Sequence, residues 1–365
     1  MFFSIYLLAA GVAAAQTEED IRDRVNRGTV GIVSGSVTGT YIRIASDLAS
    51  VLNGSDLRVL VTSGLGSVQN VDDLLYLRGI DAAIVQSDVL EHIKRQKKHA
   101  NIQSRINYVT KLYNEEFHLL ASKSVRSIQE LQGQPVILGN IGSGSHMTAS
   151  IVFEILGINV RPVPVKDHDT ALQMLKDGRV KAWIRVTGKP NSSLAQIKPD
   201  SNIKLLSVPP TPALLKTYLP STLTAKDYPN LVPQGASVQT IAIGAVLAVY
   251  AWKSGHPRYT KVSRFVDAFF QKFANREFFK PQRHKKWQEV NLAAKLPGWT
   301  RYAPATQWLA RTPPALSAQG AGSQFDQQRL LNALRSNDFS TLTPEEQKFV
   351  KAFRSFVRQS NAKRQ

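Results

Sequence analysis

From Thr29 onward the chain alternates short apolar runs with amphipathic stretches of helical period, and this alternation restricts the fold more than any other feature. Val30–Val33 reads as a buried strand. Tyr41, Ile44, Ala45, Leu48, Ala49 and Leu52 then recur at spacings of three and four, one face of a helix. The strand Leu57–Val61, a helix through Val68, Val71, Leu74 and Leu75 that stops near Arg78-Gly79, the strand Ala82–Val85 and a polar helix through Lys98 repeat the unit. Strands separated by helices pair in parallel, because the crossover that returns the chain to the same sheet is itself a helix. The expected fold is α/β.

A second series begins near residue 120. Ser127 and Glu130 have the spacing of a capping box. The strand Pro135–Leu138, a Gly/Ser loop, a helix to Leu156, a strand at Val163–Val165, a helix at Thr170–Lys176 and a strand at Val180–Ile184 follow. Asp167 directly precedes that third helix, where a carboxylate caps free amides, so Asp167-His168-Asp169 reads as a cap before it reads as a metal site. Between Asn191 and Val238 Pro and Ser accumulate; Thr240–Ala248 is again apolar and fits a strand or a buried helix. Past Ala251, Phe265, Phe269 and Phe273 form one helical stripe, and Thr312–Gly322 reads as a linker. Thr343, Pro344 and Glu346 open a last helix with Phe349, Phe353, Phe356 and Val357 on one face and Lys351, Arg354 and Arg358 on another.

Composition bounds the chemistry. A chain of 365 residues suggests two domains. The absence of Cys removes disulfides, thiol catalysis, iron–sulfur clusters and cysteine zinc sites. No run of about 18 apolar residues predicts a membrane-spanning helix. Met1–Ala15 is apolar, uncharged and ends in Ala13-Ala14-Ala15, the pattern of a signal peptide cleaved after Ala15, which places the mature protein outside the cytoplasm. The formal net charge is +19, and residues 253–365 alone hold 21 Lys/Arg against 7 Asp/Glu. Such an excess favours anionic surfaces or ligands. Nucleic acid is not an expected partner, since no recognition module is present.

Three polar loops sit where strands hand over to helices: Ser34-Gly-Ser-Val-Thr-Gly-Thr-Tyr41, Thr62-Ser-Gly-Leu-Gly-Ser-Val-Gln-Asn70 and Gly139-Asn-Ile-Gly-Ser-Gly-Ser145. Ligands of open α/β sheets bind beyond the carboxyl ends of the strands, where Gly admits backbone amides and helix N-termini favour anions. Gly and Ser also serve as plain turn residues, so it is the set of three that suggests a small anionic ligand. No phosphate-binding or dinucleotide fingerprint is present, so no cofactor is expected. No nucleophile elbow and no H-E-x-x-H motif occurs, and adjacency of Ser145 and His146 does not make a catalytic pair. Glu115 and Glu116 read as a surface pair, and Lys94–His99 as a solvated helix end. An enzyme is the least favoured class.

Taken together, Gly31–Tyr41, Thr62–Asn70, Asp81–Asp88, Leu112–Leu119, Ser127–Ser145, Leu175–Trp183 and Gly188–Pro190 resemble the TAXI family, the extracytoplasmic solute receptors of one branch of TRAP transporters. The resemblance covers about residues 28–310, with Ser36, Val37 and Thr38 standing where the family's first loop carries more Gly. It implies a type II periplasmic-binding-protein fold. One lobe would be built from 28–118 plus 240–310 and the other from 119–239, with a ligand cleft between them. Signal peptide 1–15 would precede them, and a linker with basic helices, 311–365, would follow. The implied activity is capture of a small anionic solute, glutamate-like or another carboxylate, in the periplasm, by cleft closure and delivery to a TRAP-type permease. The ligand-binding residues implied are Ser36, Thr38, Tyr41, Ser67, Asn70, Gln86 and, near the hinge, Tyr113, with Ser143, Ser145 and Pro190 facing them. The other class open at this level is a sensor or docking module of the same fold whose basic C-terminal third meets anionic membrane or an acidic partner.

Overall fold

The computed structural model describes residues 17–312 apart from 55, 200 and 201, and beyond them residues 333, 338–343, 346, 347 and 350. The expected signal segment, the linker and most of the last helix lie outside the described residues. At the start of that helix the reciprocal cap is formed: the Thr343 amide donates to Glu346 Oε2 at 2.7 Å and the Glu346 amide to Thr343 Oγ1 at 3.3 Å.

In chain order the elements are α1 (Glu18–Arg27), β1 (Thr29–Val33), α2 (Thr40–Leu52), β2 (Arg58–Thr62), α3 (Ser67–Tyr76), β3 (Ala82–Gln86), α4 (Ser87–Arg95), α5 (Ile102–Arg105) and β4 (Ile106–Ser122). There follow β5 (Pro135–Ile137), α6 (Gly144–Leu156), β6 (Arg161–Pro162), α7 (His168–Lys176), β7 (Ala182–Thr187), α8 (Ser192–Ala195), β8 (Ile203–Leu205), β9 (Leu219–Thr224), β10 (Ser237–Tyr250), α9 (Pro257–Ala274) and α10 (Ala303–Arg311). The sheet order is β2-β1-β3-β10-β4-β7-β5-β6, with β8 beside β4 and β9 beside β10. The outer strands pair in parallel, as the alternation requires, whereas β10 runs antiparallel to β3 and β4, and β4 antiparallel to β7. Two βα layers are thus joined through two long central strands, the mixed α/β architecture that the sequence resemblance implies. Val109, Leu112, Ala245, Leu247 and Val249 of these strands pack with α2 and α9 in one lobe; Phe117, Leu119, Ile241 and Ile243 pack with α6 in the other.

The phenylalanine stripe behaves as its period predicts. Phe265, Phe269 and Phe273 are fully buried on α9, joined by Phe270, Phe278 and Trp287. Phe278 and Trp287 rings lie 4.3 Å apart, and each such side chain contributes about 1.5–3 kcal/mol by leaving water. After α9 the chain turns back beneath β4, where Thr110 Oγ1 donates to the Leu292 carbonyl and the Tyr302 amide to the Tyr108 carbonyl. That strap carries the buried Lys286.

Three expectations are corrected, and one strand had no counterpart among them. The 17-residue strand β4 opens at Ile106, in a stretch whose charges hide its strand character. Glu115 and Glu116 are buried, not a surface pair, because β4 is covered by β10, β7 and the strap. Ser127 and Glu130 form no capping box: the turn is a 3-10 turn in which the Glu130 amide already donates to the Ser127 carbonyl, and Glu130 Oε2 takes the Arg126 amide. The strand near Val163 is confined to Arg161–Pro162. Asp167 does cap α7, accepting from the Thr170 amide at 2.8 Å.

Candidate functional site

The cleft lies between the lobes and is built by the three Gly/Ser loops. After β1 come Gly35 and Ser36, after β2 Leu65 and Gly66, and after β5 Gly139 and Asn140; Glu115 of β4 and Trp183, Arg185 and Thr187 of β7 complete its walls. Of the residues expected from sequence, Ser36, Tyr41, Ser67, Gln86, Ser143 and Ser145 line it together. The other four are placed elsewhere. Tyr113 points into the first lobe's core and is wholly buried there. Asn70 is also buried, its amide donating to the Ile84 carbonyl at 2.7 Å and so tying α3 to β3. Thr38 and Pro190 line a separate groove on the lobe boundary, Pro190 following a cis peptide bond.

Within the cleft, hydroxyls are held in a fixed order. Tyr41 Oη donates to Glu115 Oε2 at 2.7 Å and lies 3.0 Å from Ser67 Oγ, which in turn accepts the Gln86 amide. Opposite, Ser143 caps α6 by accepting the His146 amide, and Ser145 Oγ accepts the Val186 amide at 2.9 Å, fixing α6 against β7. His146 itself is half-buried and lacks any catalytic partner among the described residues.

Two charged residues decide the site's electrostatics, and the sequence reading missed both. Arg185 is 5% exposed, its Nη1 reaches only Ser193 Oγ at 3.4 Å, and its guanidinium stands 5.5 Å from the Trp183 ring centroid. Among the described residues no carboxylate pairs with it. Burial lowers its pKa to about 10, which still leaves it cationic at neutral pH. Glu115 is the counterpart: burial, and then the nearby charges of Asp88 and Glu116, push its pKa up to about 8 against the pull of the Tyr41 hydrogen bond. At neutral pH the cleft therefore presents a cation without a counterion beside a largely neutral carboxyl. A lone Arg in the middle of the apolar run Ala182–Thr187 was the available signal.

The lobes are shut on each other. Thr148 Oγ1 donates to Asp88 Oδ2 at 2.7 Å, the Gln69 amide to the Gly142 carbonyl, and Thr38 Oγ1 meets His168 Nδ1 at 2.6 Å. Gly144 makes the tightest approach: a Cβ there would stand 1.7 Å from Gln86 Oε1 and 2.7 Å from Ser67 Oγ. Gly144→Ala is therefore expected to push the Gln86 and Ser67 side chains from their places in the cleft wall, lowering affinity for a cleft ligand by at least about tenfold, as read by titration calorimetry, while leaving each lobe's core intact.

The buried acid also gives a pH dependence. Folded Glu115 keeps its proton up to about pH 8, whereas the unfolded chain releases it near the ordinary 4.5. Between those values the folded state binds the extra proton, so stability falls as pH rises, by an amount on the order of a few kcal/mol across the window. His118, neutral and buried with a pKa lowered to about 3, acts oppositely below its ordinary 6.5. The melting temperature should rise as pH drops from 8.5 to 6.5, and Glu115→Gln should flatten that limb; an unchanged slope in the variant would assign it to other groups.

The chain is similar to several solved structures. Against the periplasmic aliphatic sulphonate binding protein SsuA from Escherichia coli, identity is 15%, covering 80% of this chain and 85% of that one, with a TM-score of 0.41. Against the periplasmic binding protein BugD, identity is 14% over 80% and 95%, TM-score 0.45. Against the substrate-binding protein of an ABC uptake transporter from Streptococcus pneumoniae, identity is 14% over 71% and 92%, TM-score 0.42. The model of the NMT1-like family matches residues 32–257, the span that holds the three loops, the two crossing strands and every residue of the cleft, and the chain belongs to that family.

Proposed function

We propose that the protein is an extracytoplasmic solute receptor that closes on a small organic anion and delivers it to a membrane permease of the TRAP type. The observation that carries the reading is Arg185, a buried guanidinium with no counterion among the described residues, in the wall of a closed cleft. Burying an unpaired charge is costly, and a carboxylate or similar oxyanion entering the cleft offsets that cost with charge-assisted hydrogen bonds. Tyr41, Ser67, Ser143 and Ser145 stand around it as neutral hydrogen-bonding groups, and the α6 N-terminus adds a favourable dipole. A glutamate-like or other small carboxylate fits this lining. Closure then follows from the ligand's preference for the shut form, to which both lobes contribute donors.

The test is native mass spectrometry of the purified protein beside a thermal-shift panel of amino acids and carboxylates. A co-purified small anion, or a panel member that raises the melting temperature, is the expected result; a ligand at 100 times its Kd adds about 2.7 kcal/mol. A clean apo mass with no shift across the panel would overturn the reading.

A further inference from the structure

A second cavity opens on the lobe boundary; it borders the cleft at Gly39 and Thr40 and otherwise has its own lining. It is lined from the first lobe by Arg43 and Asp47 on α2 and by Gln282, Arg283 and His284 on the strap, and from the second lobe by Ser192. Two guanidiniums face one carboxylate, and that carboxylate is already engaged. Asp47 Oδ2 accepts the Trp287 indole N–H at 2.8 Å and the His284 amide at 2.9 Å, and its Oδ1 takes Arg283 Nη1 at 3.4 Å. The Arg283 guanidinium has no other hydrogen-bond or ion-pair partner among the described residues, and its buried Nε is unsatisfied. Arg43 is exposed and has no hydrogen-bond or ion-pair partner there either. His284 contributes a third donor. Burial and the neighbouring Lys286 and Arg43 lower its pKa despite Asp47, and its Nδ1 accepts the Lys286 amide, so the ring's single proton sits on Nε2.

We infer that this groove is a second binding site, for a small oxyanion such as phosphate, sulfate or a carboxylate, held between Arg43, Arg283 and His284. Guanidinium forks suit planar or tetrahedral oxyanions, and Ser192 and Gln282 supply neutral donors on either side. Because Ser192 belongs to the second lobe and the arginines to the first, the site is whole only while the lobes are shut. An anion there favours closure and, by linkage, tightens the cleft's grip on its own ligand without touching it.

Inorganic phosphate is the probe, titrated by calorimetry at low ionic strength into the intact protein and four variants. Binding is expected in the wild type and in Arg185→Gln. It should weaken at least about tenfold in Arg43→Gln and Arg283→Gln, each of which removes a charge-assisted hydrogen bond. Arg43 is exposed and unpartnered, so its variant keeps the fold even if loss of Arg283 from Asp47 does not. Lys285→Gln removes a nearby exposed charge that does not line the groove, and is expected to change little. An absence of phosphate binding overturns the site. Loss in Arg185→Gln alone would move phosphate to the cleft, overturning this site while supporting the receptor reading. Equal losses in Arg43→Gln and Lys285→Gln would leave only diffuse attraction to a basic surface, which also overturns it.

Discussion

Replacing Arg185 by Met is expected to raise the melting temperature of the ligand-free protein and, in the same variant, to weaken anion binding about 30-fold or more. The two effects have one cause. Without ligand the guanidinium is buried beside Trp183 with a single long hydrogen bond, so its desolvation is not repaid. An apolar side chain of similar length removes that cost and keeps the packing. With ligand bound, the same guanidinium becomes half of a buried, hydrogen-bonded ion pair, and removing one member of such a pair costs about 2–5 kcal/mol. Thermal melts without ligand and calorimetry with an anion found in the panel read the two arms. A variant that lost stability as well as affinity would show that Arg185 serves the fold, and the cleft would need another anion anchor.

Lys286→Met carries the largest expected stability loss, about 3–5 kcal/mol by denaturant unfolding. Lys286 is 1% exposed, yet its ammonium lies 2.7 Å from both Glu116 Oε1 and Glu289 Oε1. Burial alone would lower its pKa, but the two carboxylates outweigh that and raise it. Glu116 has a further task, accepting the Lys189 amide at 2.8 Å beside the cis Lys189-Pro190 peptide. Removing the lysine leaves the buried Glu116 carboxylate without this cation and takes one contact from the half-buried Glu289. The double variant Lys286→Met with Glu116→Gln should recover much of the loss, because the amide can still accept from Lys189 without carrying charge. Failure of that rescue would mean that the lysine stem's packing matters more than its charge.

What could be read from the sequence, and what could not, divides along the physics of β4. The first βα series was legible because its strands are short, apolar and bounded by Gly/Ser turns, and α9 because its phenylalanines keep helical period. Three loops of the cleft were legible from their Gly and Ser. The central strand was not: Asn114, Glu115, Glu116 and His118 give it a polar appearance that only long-range partners explain. Glu116 is neutralised by a residue 170 positions away, and His118 accepts from the Tyr228 hydroxyl, 110 positions away, while donating to the Glu116 carbonyl. Arg185 was missed for the same reason, since a charge inside an apolar run reads as noise until the lobe facing it is in place. Thr38, Asn70, Tyr113 and Pro190 follow from the family resemblance alone; Asn70 on its helix and Tyr113 on its strand point to a face turned from the cleft, and Thr38 and Pro190 sit in connections that border the neighbouring groove.

The placement of β10 also bears on how the chain acquires its shape. Residues 242–250 fill the gap between β3 and the first part of β4 and pair with both. Until they emerge during synthesis, β3 and β4 each expose an unpaired edge, and neither half of the molecule can reach its final state alone. Folding therefore waits on contacts far apart in sequence, a topology that is intrinsically slow. Roughly the first 240 residues stay incompletely assembled as they leave the ribosome. A chain whose two lobes are split this way acquires its shape once, late and as a whole.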